Sequence, residues 1–504
     1  MSGRPRPRVR TIAPIVIVLA VLVASCGSYD RNPESAKAST TTRRSATSSS
    51  VTGSTTTTTL APGASTSSTR STTTTTRPNA STSTASTTRP ALNSAGALPP
   101  LRGRLAMIDG QGRLVVTQPN GTSVVPIANA SQGEIAHPTW SPDASRLVWS
   151  ATSPVSTQVA SATVGSTTGA VSLALTEPAP TYFSWRPPLA RTVLGLPPTT
   201  SAPASLARVA WSRTATATQG AENNTQGSTD FGVLDLSAAA TLRSLAKGAT
   251  LYFWLSPDGT RAIVHNGDAD LAIVDLDTDV STPLTVSAAG FETPVWLEGN
   301  SVLIAVQAGT NQYLSVIDTN SGRRQDLLRY EGTIQFVVDQ SGQRIAYQVN
   351  AGGGGGNNPA MGPLLQAPTT TIPTATIGRL SVFERRNNSN RSILDSAALA
   401  FAWSPTSDRI AFLAQASGGV VQWRFWTERT IESSVLFQPS PVTQQSIAAF
   451  TQYDQSSRWF SPDGKAFVFA GKVADLNGVW VQVLDGFGPP ARVGDGSFAV
   501  WSPQ

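Results

Sequence analysis

An all-β fold made from one short antiparallel unit, repeated along the chain, is what this sequence predicts. Three observations carry the expectation. A turn phrase recurs, in which an apolar or aromatic residue precedes Ser-Pro-Asp-Gly or a relic of it. An alternating apolar run follows each copy. The two ends of the repeat region are incomplete in complementary ways. The phrase reads Trp140-Ser-Pro-Asp143 before Arg146-Leu-Val-Trp149, Leu255-Ser-Pro-Asp-Gly259 before Arg261-Ala-Ile-Val264, and Phe460-Ser-Pro-Asp-Gly464 before Lys465-Ala-Phe-Val-Phe469. Trp403-Ser-Pro-Thr406 leads into Arg409-Ile-Ala-Phe412, and the chain ends on Val500-Trp-Ser-Pro503. Weaker copies are Trp185-Arg-Pro-Pro188, Trp296-Leu-Glu-Gly299 and Val338-Asp-Gln-Ser-Gly342.

The phrase has hairpin chemistry. Pro presets φ at the first central position, Asp bonds its own backbone, and Gly supplies the positive φ. The residue before it ends one strand and the alternating run after it begins the next. A third strand follows, as in Leu271–Asp275, Leu314–Asp318, Leu380–Phe383 and Val479–Leu484, and then a poorer fourth, as in Thr282–Val286. Four antiparallel strands repeating at about 40 residues describe the blades of a β-propeller. The region opens with Arg104–Ile108, Arg113–Val116 and Ser123–Ile127, three strands lacking an inner partner, and Phe498–Trp501 at the C-terminus completes them. Joining the ends removes the exposed edges of an open sheet. The expectation is one propeller of eight blades; seven is the alternative, because the second unit, about Tyr182 to Lys247, is irregular.

These repeats resemble the WD40-like repeat of the TolB-type propellers, and the resemblance spans nearly all of the chain after residue 100. It implies a propeller that assists protein complexes of the cell envelope, and so a protein partner. LpqB-type lipoproteins, linked to sensor-kinase signalling, are similar in joining an acylated Cys to a propeller, although here a low-complexity segment stands where that family has further folded domains.

From the N-terminus the repeats are expected to lie outside the cytoplasm. Arg4, Arg6, Arg8 and Arg10 precede an apolar run from Ile12 to Val23, too short to span a bilayer comfortably and followed by Ala24, Ser25 and Cys26. The segment resembles a lipobox, in which the Cys is acylated and becomes the new N-terminus, so Cys26 is the expected lipidation site. It is the only Cys in the chain, which leaves no intramolecular disulfide to form. The expected organisation is a lipoprotein signal peptide over 1–25, a disordered tether over 26–100 and the propeller over 101–504, anchored to the outer face of the cytoplasmic membrane. The tether is mostly Ser and Thr between Ser39 and Pro90, with too little apolar surface to offset the entropy of ordering. As a coil it averages roughly 45–50 Å end to end, and its Thr runs suit O-glycosylation or an inert spacer alike.

The net charge of +6 belongs to this N-terminal part. The first hundred residues hold eleven Lys or Arg against Asp30 and Glu34, leaving 26 basic and 29 acidic residues beyond them. The repeat region is therefore near neutral, which gives no support to nucleic-acid binding.

Candidate chemistry is sparse. His137 and His265 are the only histidines and neither has a metal partner nearby in sequence. No Gly-x-Ser-x-Gly elbow is present, and Asp268, Asp270, Asp275, Asp277 and Asp279 lack calcium-loop spacing. No cofactor, metal or catalytic set is expected, and the chain reads as a non-enzyme. The second-to-third strand connections are swollen over Thr214–Thr229 and Asn350–Ile377, while the first-to-second turns are expected to stay short. Binding is thus expected on the face that carries the long loops. Within the aromatic cluster Trp423, Phe425 and Trp426, alternation puts Trp426 on its own face, where it is the candidate exposed anchor for a protein or a sugar. The expected function is an envelope interaction scaffold or sensor module. The alternatives are a propeller that binds cell-wall polysaccharide and a propeller enzyme, a lyase or glycosidase.

Overall fold

The computed structural model describes residues 93–94, 98–165, 171–175, 181–185, 208–214, 228–236, 241–248, 251–267, 270–290, 292–351, 372–449 and 458–504. The leader, Cys26 and most of the tether lie outside the described residues.

The chain folds as a β-propeller of sheets, six of four strands and one of eight among the described residues, antiparallel except where Asn93–Ser94 joins the eight-stranded sheet. In chain order, the second sheet is Glu134–Trp140, Arg146–Thr152, Thr157–Thr163 and Val171–Leu175; the third is Thr181–Ser184, Arg208–Thr214, Thr229–Asp235 and Thr241–Gly248. The fourth is Leu251–Leu255, Arg261–Asn266, Asp270–Asp275 and Ser281–Pro283. Val295–Trp296, Ser301–Ala308, Asn311–Asp318 and Arg324–Tyr330 form the fifth, and Thr333–Val338, Arg344–Asn350, Leu380–Glu384 and Ser389–Leu394 the sixth. A double sheet then joins Ala400–Trp403, Ile410–Gln415, Val421–Trp426 and Ile431–Pro439 to Ala466–Val473, Leu476–Val483 and Ala491–Gly494. The first sheet is made from both chain ends, with Gly496–Trp501 beside Leu105–Asp109, then Leu114–Thr117 and Val125–Ala128; Leu105 stands opposite Trp501 and Ile108 opposite Phe498.

The enclosure of a first strand and the exposure of a fourth are clearest in the third and fourth sheets. Thr181–Ser184 is buried throughout, and Ser281–Pro283 is exposed throughout. Pro126 and Pro283 sit on outer strands, where a missing N–H blunts the free edge. The hydrophobic cores lie between neighbouring sheets. Phe231 and Val233 of the third meet Leu251 and Phe253 of the fourth, with the two Phe rings 4.3 Å apart. A middle sheet such as the third is thus apolar on both faces.

The turn phrase works as its residue types require. Ser256 Oγ donates to Asp258 at 2.5 Å and accepts the Arg261 N–H at 2.9 Å, while Gly259 takes φ +73°. Ser141 with Asp143 and Arg146, and Ser461 with Asp463 and Ala466, repeat these bonds. The Arg that opens the second strand reaches the following sheet. Arg104 lies over Trp140 at 5.3 Å, Arg261 over Trp296 at 4.9 Å and Arg344 over Trp403 at 4.7 Å.

Two expectations need correction. The first-to-second turn is not short in every unit: in the third sheet it runs from the end of Thr181–Ser184 to the start of Arg208–Thr214, because Arg186-Pro-Pro188 lacks the Asp and Gly that close the hairpin elsewhere. Order also begins before residue 101. Asn93–Ser94 pairs in parallel with Ala491–Gly494, and Leu98 and Leu101 pack on the core below. An open sheet edge offers backbone bonds to any extended segment, whatever its side chains.

Candidate functional site

Strand direction alternates within each sheet, so first-to-second and third-to-fourth links emerge on one face and the others on the opposite face. The first is the turn face. The second, here the loop face, receives the connections from Thr214 to Thr229 and from Asn350 to Leu380. The latter is tied down on its return: Arg329 N–H donates to Pro373 O at 2.9 Å and Ala375 N–H to Arg329 O at 2.8 Å, a parallel pairing on the outer strand of the fifth sheet.

The first strands are irregular where they meet the loop face. In the second sheet the register breaks between Ala136 and Thr139, and His137 takes φ +51°. Its ring lies 4.2 Å from that of Tyr182 in the third sheet. In the fifth sheet Ala289 bonds Ala305 at 2.8 Å and Val295 pairs with Leu303, so the described pairing of this edge is interrupted between them. The largest interruption is in the double sheet. Along one edge of Ala466–Val473, Gln438 and Pro439 pair with Lys472 and Gly471, whereas Trp459 O accepts from Val468 N–H at 2.8 Å and Phe460 bridges Phe467. Between these two stretches the chain leaves the edge and forms the helix Pro441–Ala449. Thr443 Oγ1 donates to Ser497 O at 3.2 Å, and Ser440 Oγ bonds the same carbonyl, which fixes the helix against the first strand of the first sheet.

Polar side chains on second strands clasp the next sheet at this level. Ser150 Oγ donates to Thr181 O at 3.4 Å, and His265 Nδ1 lies 2.9 Å from Glu292 O. Gln348 Nε2 donates to Ala398 O at 3.0 Å, while its Oε1 accepts the Ala398 N–H at 2.9 Å. Burial pushes the Glu292 carboxyl well above the usual carboxylate range, opposed only by a bond from the Ile334 N–H.

Trp426 does not offer the exposed anchor expected of it. It is 6% exposed and packs with Phe401, Ile410 and Phe412 in the core shared with the sixth sheet, with Arg391 over its ring at 5.3 Å. Alternation does separate it from Trp423 and Phe425, which join the opposite core. Both faces of this sheet are covered, so changing face moves a residue from one core to another. The two histidines are buried in different sheets. Asp275 closes its own turn through the Thr278 and Asp277 N–H groups, and Asp277 pairs with Arg208 at 2.6 Å; Asp268 lies outside the described residues. Among the described residues no three His, Cys, Asp or Glu side chains are placed to hold a metal ion. The clasps and the helix insertion carry no local sequence signal apart from the polar residues Ser150, His265 and Gln348 recurring at one position of otherwise apolar strands.

The chain matches no protein-family model and no curated protein. Among solved structures it is similar to TolB from Acinetobacter baumannii, at 14% identity and TM-score 0.35 over 70% of this chain and 82% of that one. It is also similar to the β-propeller domain of the trilobed protease from Pyrococcus furiosus, at 10% identity and TM-score 0.40 over 72% and 98%. A third likeness is to an oligogalacturonate lyase from Vibrio parahaemolyticus, at 12% identity and TM-score 0.36 over 53% and 71%. These are likenesses of fold, and they assign no activity to this chain.

Proposed function

We propose that this chain is a lipid-anchored, extracytoplasmic propeller that serves the cell envelope as a protein-docking scaffold or sensor module, with its loop face as the docking surface. The carrying observation is the asymmetry of the two faces. The turn face is mostly closed by short hairpins whose Ser, Asp and Arg side chains are spent on bonds within and between sheets. The two longest second-to-third connections and the inserted helix belong to the loop side of the sheets. Long connections on a rigid frame are where binding residues concentrate. Counting the double sheet as two units makes eight blades. The anchor in this reading is Cys26, and the near-neutral repeat region favours a protein over a nucleic acid.

The test is in-cell crosslinking of the full-length protein with photo-reactive residues in Thr214–Thr229 or Asn350–Ile377, beside a Cys26→Ala form. One envelope protein captured through these loops, and lost without the anchor, is the expected result. Capture through the turn face alone would overturn the docking surface. Recovery of wall polysaccharide without protein would replace the protein partner by a glycan.

A further inference from the structure

The helix Pro441–Ala449 starts from the double sheet and is held by the first sheet. Ser440 caps it: its Oγ accepts the Thr443 N–H at 3.1 Å, and its carbonyl accepts the Gln444 N–H at 2.9 Å. The same Oγ bonds the Ser497 carbonyl of the end-joining strand Gly496–Trp501, and Thr443 Oγ1 reaches that carbonyl as well. We propose that this helix is a strap over the joint between the two chain ends, which holds the joint shut while seated and frees it when lifted. The strap belongs to the ring itself and stands whether or not the loop face docks a protein.

Three observations support it. The first is that Ser497 is the residue its own ladder leaves out. Phe498 stands opposite Ile108 and Gly496 opposite Asp109, so the register slips between them, and the strap brings two hydroxyls to the carbonyl at that slip. The second is that the apolar residues of the helix reach the cores on either side of the joint. Ile447 is buried with Phe437 and Val473 in the core of the double sheet, while Val442 packs on the core of the first and second sheets, beside Ile108 and Phe498. Between these two lies the core of the joint itself, where Leu105 and Trp501 meet Val468 and Val481. The third is that the helix is an insertion between two stretches of one edge. Pro439 stands opposite Gly471 and Phe460 opposite Phe467, so the helix can lift without unpairing either. Its Pro441 and Gln445 are exposed, which leaves one side of the strap open to solvent.

Lifting the strap is a local opening, and what it loosens is the pairing of Gly496–Trp501 with Leu105–Asp109. Hydrogen exchange of the full chain reads both events. In a variant carrying Ser440→Ala and Thr443→Val, the amides of 496–501 and 105–109 are expected to exchange about tenfold faster, the effect of one or two lost hydrogen bonds. The amides of 261–266 and 344–350, in the fourth and sixth sheets, are expected to keep their protection. Unchanged exchange in the closing strands, or an equal rise in every sheet, overturns the strap. If the variant does not fold, exchange of the wild-type chain in low urea decides. The amides of 444–447 are then expected to open first, the closing strands next and 261–266 later. Closing strands that open while the helix is still protected would overturn the strap.

Discussion

Arg104 and Ser502 stand 398 positions apart and make the two bonds that elsewhere close a single turn. The Arg104 N–H donates to Ser502 Oγ at 2.9 Å, and the Ser502 N–H donates to Arg104 O at 2.8 Å. Ser256 and Arg261 do the same within one hairpin, at 2.9 and 2.8 Å. The turn phrase is therefore completed across the two ends of the chain, with Ser502 directly after Gly496–Trp501 and Arg104 directly before Leu105–Asp109.

Ser502→Ala is expected to lower stability by about 1–3 kcal/mol, the cost of leaving a buried donor unsatisfied. Ser256→Ala, in a continuous turn, should cost a similar amount. The urea midpoint of each variant measures this, and a neutral Ser502→Ala would show that the end-joining turn contributes nothing.

The phrase also holds two residues in strained backbone. Ala144 and Ser407 occupy the Gly position with φ +57° and +59°. A side chain there costs about 1–2 kcal/mol, partly offset by the entropy that Gly adds to the unfolded chain. Ala144→Gly and Ser407→Gly are each expected to stabilise by about 0.5–1 kcal/mol in thermal unfolding.

Arg344 is more than a charge. It lies over Trp403 at 4.7 Å, bonds Ser407 O in the next sheet, and pairs with the buried Asp339 at 3.2 Å. Lys cannot reproduce a planar group that stacks and forks at once. Arg344→Lys should therefore destabilise nearly as much as Arg344→Ala, by about 1–3 kcal/mol. Denaturation of the two variants side by side distinguishes stacking from simple charge.

What was legible in the sequence follows from how local its cause is. The Ser-Pro-Asp-Gly hairpins, their Arg and the alternating strands depend on neighbours within ten residues, and they recur where the phrase recurs. The complementary ends were legible because Trp501 and Leu105 each belong to an incomplete unit. Trp426 was misread because a strand's period names two faces without saying what covers either one. The break between Ala289 and Val295 and the helix Pro441–Ala449 were invisible for a related reason. They interrupt a strand whose partner lies downstream, and only pairing on both sides of the gap reveals them.

Burial of Trp426 changes how a binding assay must be read. Trp426→Ala is expected to cost about 3–5 kcal/mol, as for other large core truncations. Lost partner binding in that variant should track lost fold in circular dichroism. Loss of binding at unchanged stability would return Trp426 to the surface chemistry first expected of it.

Two sets of carboxyls should give the protein a stability maximum between acid and alkaline limbs. In the turns, burial alone would raise Asp143, Asp258 and Asp408, but bonds from Ser141, Ser256 and Ser404 outweigh it and hold each below the usual range. A lowered native value means that the folded chain holds these protons less tightly than the unfolded chain. Their stabilisation is present above about pH 4 and is lost as pH falls through the native values. Glu292 acts in the opposite sense: its raised value favours the fold at low pH and weakens it as pH rises. Urea midpoints from pH 3 to 8 should therefore fall at both ends. Asp258→Asn is expected to reduce the acid slope alone, and Glu292→Gln the slope toward higher pH alone. A variant that flattens the wrong limb would mean that its carboxyl is not the group whose proton is coupled to folding.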